Sequence, residues 1–376
     1  MSAATDLDPG APGPDQPAPR RRRADLRVSV RGVRTVAAME LRQRLRATRW
    51  VVVLVVWVAV VLGVSVLVRV AAAAAGDLDE LGSLLFSAVA FLVLGMGLLV
   101  VPALTATSIN GDRTDGVLAP LQVTLLSPLD VVLGKLVTAW LCALVLLAAA
   151  APVLLWAVVV GGESLLRGLV VLVVLAAVLA AVCALGLGWS ALVARPVASA
   201  LLTYVTVAVL TLLAPLLFGL TAPLVQEDAE VVVREPTEYT AAGAPADCVE
   251  ATRTQPVFRT DRTWWLLAAS PFVVLADATP RPADTTTVAG VERFDPLAEI
   301  RSGVRSARQG PDLEQDWCAT PTAQQLLAEQ EEADAAGAVW PWGLGGLALL
   351  GLGAGAVAAR RLHVPYGELP RGTRVA

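Results

Sequence analysis

The stretch that decides the fold is WVVVLVVWVAVVLGVSVLV, residues 50–68, which contains no Asp, Glu, Lys or Arg. An α-helix rises 1.5 Å per residue, so about 20 apolar residues cross the roughly 30 Å of bilayer hydrocarbon. Five more charge-free windows follow, at 81–111, 136–162, 168–194, 196–226 and 335–359. None clearly holds two crossings, so the chain is expected to be an all-α polytopic membrane protein with six transmembrane helices. Composition agrees. The 376 residues are 56% apolar and 16% charged and have a mean hydropathy of +0.66. Soluble chains have about 45–50% apolar and about 25% charged residues, so the composition argues against a soluble protein.

The net charge of −4 says little, because the charges are segregated by segment. If the first span starts inside, the short inner segments carry 18 of the 29 basic residues, against only Arg69 and Arg167 in the short outer loops. The positive-inside rule then puts both termini in the cytoplasm, and the expected location is the plasma membrane. A cleaved signal peptide fits poorly, since the basic region spans 49 residues and the apolar run exceeds a 7–15-residue core.

Residues 1–32 read as a disordered basic tail, rich in Pro, Gly and Ala before Arg20–Arg23. Beside a span, such arginines hold the inner leaflet rather than nucleic acid. From 33 to 48, Val33, Ala37, Leu41 and Leu45 recur four apart while Arg34, Arg42, Arg46 and Arg49 take another face. That spacing predicts an amphipathic interfacial helix on membrane lipid, serving as a topogenic anchor or as a lever from a cytoplasmic partner to the first span.

Residues 227–334 form an extracytoplasmic insert between spans five and six, with 20 acidic and nine basic residues. Within it, TWWLLAASPFVVLA, 263–276, is too short to span and is broken by Pro271. An interfacial or re-entrant helix with Trp264 and Trp265 at headgroup level is expected, with a small core for the insert as the alternative. Cys248 and Cys318 are the only cysteines of the insert, and a disulfide between them is expected on an oxidising side, against two unpaired thiols. Cys142 and Cys183 read as packing residues within spans. No CxxC or Cys/His cluster supplies metal ligands. The lone His363 lies in the tail 360–376, and no catalytic residues are expected. The windows also lack the ionisable groups that proton-coupled transporters and intramembrane proteases place in the bilayer.

The one substantial inner loop is SINGDRTDGVLAPLQVTLLSPLDVVLGK, residues 108–135. Asp112, Arg113 and Asp115 make a charged turn, Gly116 permits an unusual backbone angle, and Ser127 with Pro128 reads as a helix start. This order resembles the ABC-2 type transporter permeases, the membrane subunits of type V ABC exporters. Their loop runs charged-Arg, Gly-x-Leu, a Leu-rich stretch, Thr/Ser-Pro and Gly-Lys. The matching positions here are Asp112, Arg113, Gly116, Leu118, Leu121, Leu125, Leu126, Ser127, Pro128, Gly134 and Lys135. The leading acid is Asp rather than the usual Glu, and Gly116 to Pro128 is longer than in many relatives by about one helical turn. The resemblance covers 33–226 and the last span, and Ser270-Pro271-Phe272 is similar to a stretch before the last span of such permeases.

The resemblance implies a permease subunit of an ABC transporter, an exporter that pairs with a second permease copy or paralogue and with cytoplasmic ABC ATPase subunits. The Walker pattern G-x-x-x-x-G-K-[ST] is absent. ATP and Mg would then be bound by the partner ATPase, this chain would hold no cofactor, and 108–135 would be the ATPase-coupling loop. The alternative from another class is a membrane-anchored binding or scaffold protein acting through its acidic ectodomain.

Overall fold

Wherever the sequence runs long without a charge, the chain is helical. The structure, a computed structural model, describes residues 28–75, 81–114, 116, 126–239, 245–281, 295–318, 335 and 337–362. Six of its helices are long and apolar enough to cross a membrane, which makes this a multi-pass membrane protein by architecture. A short helix α1 (Val30–Leu45) leads into α2 (Thr48–Ala75), the first span. The second span is α3 (Leu81–Thr105), prolonged by α4 (Asn110–Thr114). The third and fourth are α5 (Pro128–Val160) and α6 (Leu165–Leu192). The fifth is built from α7 (Pro196–Ala208), a π turn at Val209–Leu213 and α8 (Ala214–Thr221). Pro215 explains the interruption: it lacks an N–H, and just ahead of it the Ala214 N–H reaches back to the Val209 carbonyl, one residue further than in an α-helix.

In a bilayer, apolar burial does not distinguish helix from lipid, so close backbone approach does the packing. Gly188 of α6 shows it. A Cβ there would lie 2.6 Å from the Ala354 Cβ and 3.0 Å from its Cα, on the sixth span α12 (Trp340–Leu362). Spans one and five are the least covered, with only 17% of their central windows buried.

The insert is not purely helical, which the sequence reading did not anticipate. β1 (Gln226–Tyr239) and β2 (Pro245–Phe258) form a long antiparallel hairpin, with Val231 facing Arg253 and Val233 facing Ala251. Val231 and Val233 are fully buried while Val232 between them is exposed, the period-two pattern of a one-sided sheet. The helices α9 (Trp265–Ala268), α10 (Pro271–Ala278) and α11 (Pro296–Gln309) follow the hairpin. β3 (Glu314–Asp316) then pairs in parallel with β1, giving the order β2-β1-β3. Cys248 and Cys318 are disulfide-bonded, their Cα atoms 6.3 Å apart, which ties β2 to the chain leaving β3. Arg259 grips Asp261 through two hydrogen bonds of 3.0 Å, and this holds the Asp261 carboxyl below the usual carboxylate range.

The segment 263–276 breaks into two helices at Pro271, and its second half packs among the spans while Trp265 in the first stays exposed. Val274, Leu275 and Ala276 are fully buried in the main core, and the Phe272 ring stands 5.8 Å from Phe91 of the second span. Two buried ion networks then fasten the insert to the bundle. Asp295, N-cap of α11, pairs with Arg167 of the fourth span, which also meets Glu163 at 2.6 Å and lies over the Phe86 ring. Asp277 takes Arg305 at 2.6 Å on one oxygen and the Val339 and Trp340 N–H groups on the other. That carboxylate sits at the start of the sixth span, where the helix dipole favours negative charge.

Candidate functional site

The end of the bundle opposite the insert is where the singled-out loop begins and ends. Its construction starts from helix termini. Ser127 caps α5, accepting from the Asp130 N–H at 3.1 Å, while the Asp130 side chain accepts from the Ser127 N–H at 3.1 Å. This capping box, with Pro128 in the first turn, follows from the order Ser-Pro-x-Asp. The same carboxylate accepts from the Ser29 N–H at 2.7 Å, and Ser29 caps α1. Two helix N-termini thus converge on one buried Asp130, and their dipoles both favour its charge.

From there α1 runs against the third span. Gly134 makes the approach possible: a Cβ at this position would meet the Val36 Cβ at 2.6 Å and the Val33 carbonyl at 3.2 Å. Thr138 Oγ1 donates to the Ala37 carbonyl at 3.3 Å one turn further on. On the other side, the Ser190 hydroxyl of the fourth span accepts from the Ile109 and Asn110 N–H groups at 2.9 and 3.2 Å. Asn110 Nδ2 donates to the Val193 carbonyl, and Ser199 Oγ to the Ala106 carbonyl. These bonds satisfy the backbone where α3 gives way to α4, which fixes the direction of Asp112.

Lys135 joins the two sides. Its ammonium donates to Glu40 of α1, to Asp112 of α4 at 2.6 Å and to the Ser108 carbonyl at 3.1 Å, so all three hydrogens are used. The Lys135 side chain is 1% exposed, Glu40 11% and Asp112 29%. Arg44 lies 3.6 Å from the second Glu40 oxygen, giving two cations to two carboxylates. A balanced set is what burial requires, since a lone charge here would cost several kcal/mol. The cluster locks α1, the end of span two and the start of span three into one block.

The expected site residues fall in three groups. Asp112, Gly134, Lys135 and Pro128 are within the block just described. Arg113 is half-buried at its edge beside the exposed Thr114, and Gly116 is exposed with φ +71°, the left-handed region its lack of a side chain permits. Leu118, Leu121 and Leu125 lie outside the described residues, as do Asp115, the tail before Val28 and His363.

The amphipathic helix needs a correction. It spans Val30–Leu45 and packs on α5 through Gly32, Val36, Ala37 and Glu40. Val33 and Leu41 are half-buried and Leu45 is 47% exposed, so the covered stripe is rotated from the Val33–Leu45 row. Glu40 lies in that covered stripe and was missed in sequence, where charges were assigned to the outer face. Its signal was available: it is the one acid in a helix otherwise carrying arginines. Arg167, missed likewise, was counted only for orientation. The small-residue pairs are used unevenly: Gly186 abuts Thr105 and Gly351 faces Ala181 and Ala184, whereas nothing lies within 4 Å of a Cβ at Gly355.

Among the described residues no three His, Cys, Asp or Glu side chains gather as metal ligands. What the block can do is mechanical: displacement of α4 is felt through Lys135 by α1 and the third span together. No protein-family model matches this chain, and no curated protein matches it.

Proposed function

We propose that this chain is the permease subunit of an ATP-binding cassette exporter of the plasma membrane, with both termini cytoplasmic and driven by a separate cytoplasmic ABC ATPase. The observation that carries the reading is the Lys135 cluster. A loop that receives an external push is useful only if it is rigidly joined to the helices it must move. Here Asp112, two residues before the exposed Thr114, is bound through Lys135 to Glu40. The motif that resembles ABC-2 permeases and the joint between three helices therefore share the residues Asp112, Gly134 and Lys135. The half-buried Arg113 and the exposed Arg31, Arg34, Arg42 and Arg46 give the block a basic rim suited to an acidic groove on the ATPase. Spans one and five offer the uncovered apolar faces that a second permease copy or lipid would take.

The scaffold alternative needs an ectodomain that works apart from its anchor. Against it stand the buried pair Asp295–Arg167 and the bonds from the Val339 and Trp340 N–H groups to Asp277, which make insert and spans one mechanical unit. The test is purification of the full chain from its native membrane in mild detergent, with identification of stoichiometric partners. A soluble subunit with Walker motifs, lost when Arg113 is replaced by Glu while the permease stays folded, is the expected result. Recovery of the folded chain with no ATP-binding partner would favour the scaffold.

A further inference from the structure

On the insert side, a cavity of about 350 Å³ lies between the π turn of the fifth span, α9 with its flanking residues, and the sixth span. Every residue lining it is apolar, with Trp264, Trp265, Trp342 and Leu210 forming its walls and Leu350 its lower edge. Trp265 and Trp342 are 59% and 64% exposed, and Trp265 Nε1 is turned to the Arg262 carbonyl at 3.1 Å, which leaves its ring to the cavity. The same two spans also carry bare apolar side chains outside the cavity: Leu212 and Leu216 on the fifth, Leu349 and Leu352 on the sixth. Nothing lies within 4 Å of a Cβ built at Gly346, so this glycine forms an open wall rather than a packing contact.

A concave apolar slot flanked by two membrane spans and rimmed by tryptophans is filled by the solvent of that region, the lipid chain. Its volume is at the lower end of small-molecule cavities, room for one chain rather than for a globular partner. Charge selects the lipid further. The Arg308 guanidinium lies 5.1 Å from the centre of the Trp264 ring and donates to the Gly337 and Ala338 carbonyls at 3.2 and 2.8 Å. Among the described residues no carboxylate pairs with it. A cation whose charge is met, among the described residues, only by neutral carbonyls, beside an acyl slot, complements a lipid phosphate.

We propose that this slot holds one acyl chain of an anionic glycerophospholipid from the leaflet on the insert side, with Arg308 drawing its phosphate. The proposal does not rest on the coupling of an ATPase. It requires only that the six spans lie in a bilayer. The test uses the purified full chain in nanodiscs containing phosphatidylglycerol or phosphatidylcholine with a photoactivatable acyl chain, and labelled peptides are mapped by mass spectrometry. Labelling should concentrate at 264–269 and 342–350. Gly346→Phe, whose ring would occupy the slot, should lower it about ten-fold, whereas Gly353→Phe, equally open but away from the cavity, should not. Leu350→Trp supplies a second blocking variant if Gly346→Phe does not fold. Arg308→Gln should bring phosphatidylglycerol labelling down to the phosphatidylcholine level. Labelling spread evenly along all spans, or unchanged in a folded blocking variant, would overturn the proposal. So would protein-to-protein crosslinks from the slot to a second copy, and equal labelling by the two lipids in the wild type would remove the anionic preference.

Discussion

Replacing Lys135 by Met keeps the length of the side chain and removes the charge that holds three helices together. Breaking a buried ion pair by deleting one partner costs about 3–5 kcal/mol, because the other charge is left without compensation. The structure reduces that figure at two places. Asp112 is 29% exposed and regains water, and Glu40 keeps Arg44 at 3.6 Å. We therefore place the loss at about 3 kcal/mol, the low end of the range. For domains of 150–250 residues each kcal/mol moves Tm by about 2–4 °C, and a longer chain responds less, so the expected drop is about 5 °C. Unfolding of the detergent-solubilised chain, followed by tryptophan fluorescence at a fixed scan rate, measures it. The double variant Lys135→Met/Glu40→Gln removes the orphaned charge along with its partner. It should recover part of the loss, with a coupling energy on the order of 1–2 kcal/mol. If Lys135→Met melts within about 1 °C of the wild type, or if the two substitutions add independently, the cluster is not the joint described above.

Three further outcomes follow from the geometry. Gly134→Val should drive α1 off the third span, because its Cβ would stand 2.6 Å from Val36, at a cost of about 2 kcal/mol, seen as earlier protease cleavage within 28–47. Cys248→Ser should weaken the insert selectively: opening a crosslink that joins residues 70 apart restores denatured-state entropy worth about 4 kcal/mol in the chain-entropy model. Hydrogen exchange should then rise across 226–258 while the spans are unchanged. Asp261 titrates below its unfolded value because Arg259 holds the ionised form. Its contribution is therefore complete above about pH 4, the unfolded carboxylate range, and is lost as pH falls through the lower folded value. A pH series of insert stability should show an acid loss that moves to higher pH in Arg259→Gln.

Much of the membrane part was legible because hydropathy is a one-dimensional signal. A charge cannot stay in hydrocarbon unpaired, so the uncharged windows 50–68 and 168–194 lie within α2 and largely within α6. The start of the third span was legible from Ser127, Pro128 and Asp130, whose side chains and ring act within one turn. Charged residues buried by distant partners were not legible. Glu40 and Lys135 are 95 residues apart, and Arg167 and Asp295 are 128 apart, so only the folded chain shows that their charges cancel. The hairpin at 226–258 was missed for another reason. Its alternation at Val231, Val232 and Val233 is confined to a few positions in a segment whose Glu, Arg and Pro content reads as loop. The break at Pro271 was visible, but its use, to turn the chain inward beside Phe91, depends on packing.

The central claim is that the block around Lys135 receives force from an ATP-hydrolysing subunit. A photocrosslinking amino acid at Thr114, exposed at the edge of the block, tests it most directly when introduced into the full chain in its native membrane. The account predicts a crosslink to a soluble ABC ATPase whose yield changes when MgATP is replaced by MgADP. Crosslinks from Thr114 to lipid alone, in a chain shown to be folded and active in export, would contradict it.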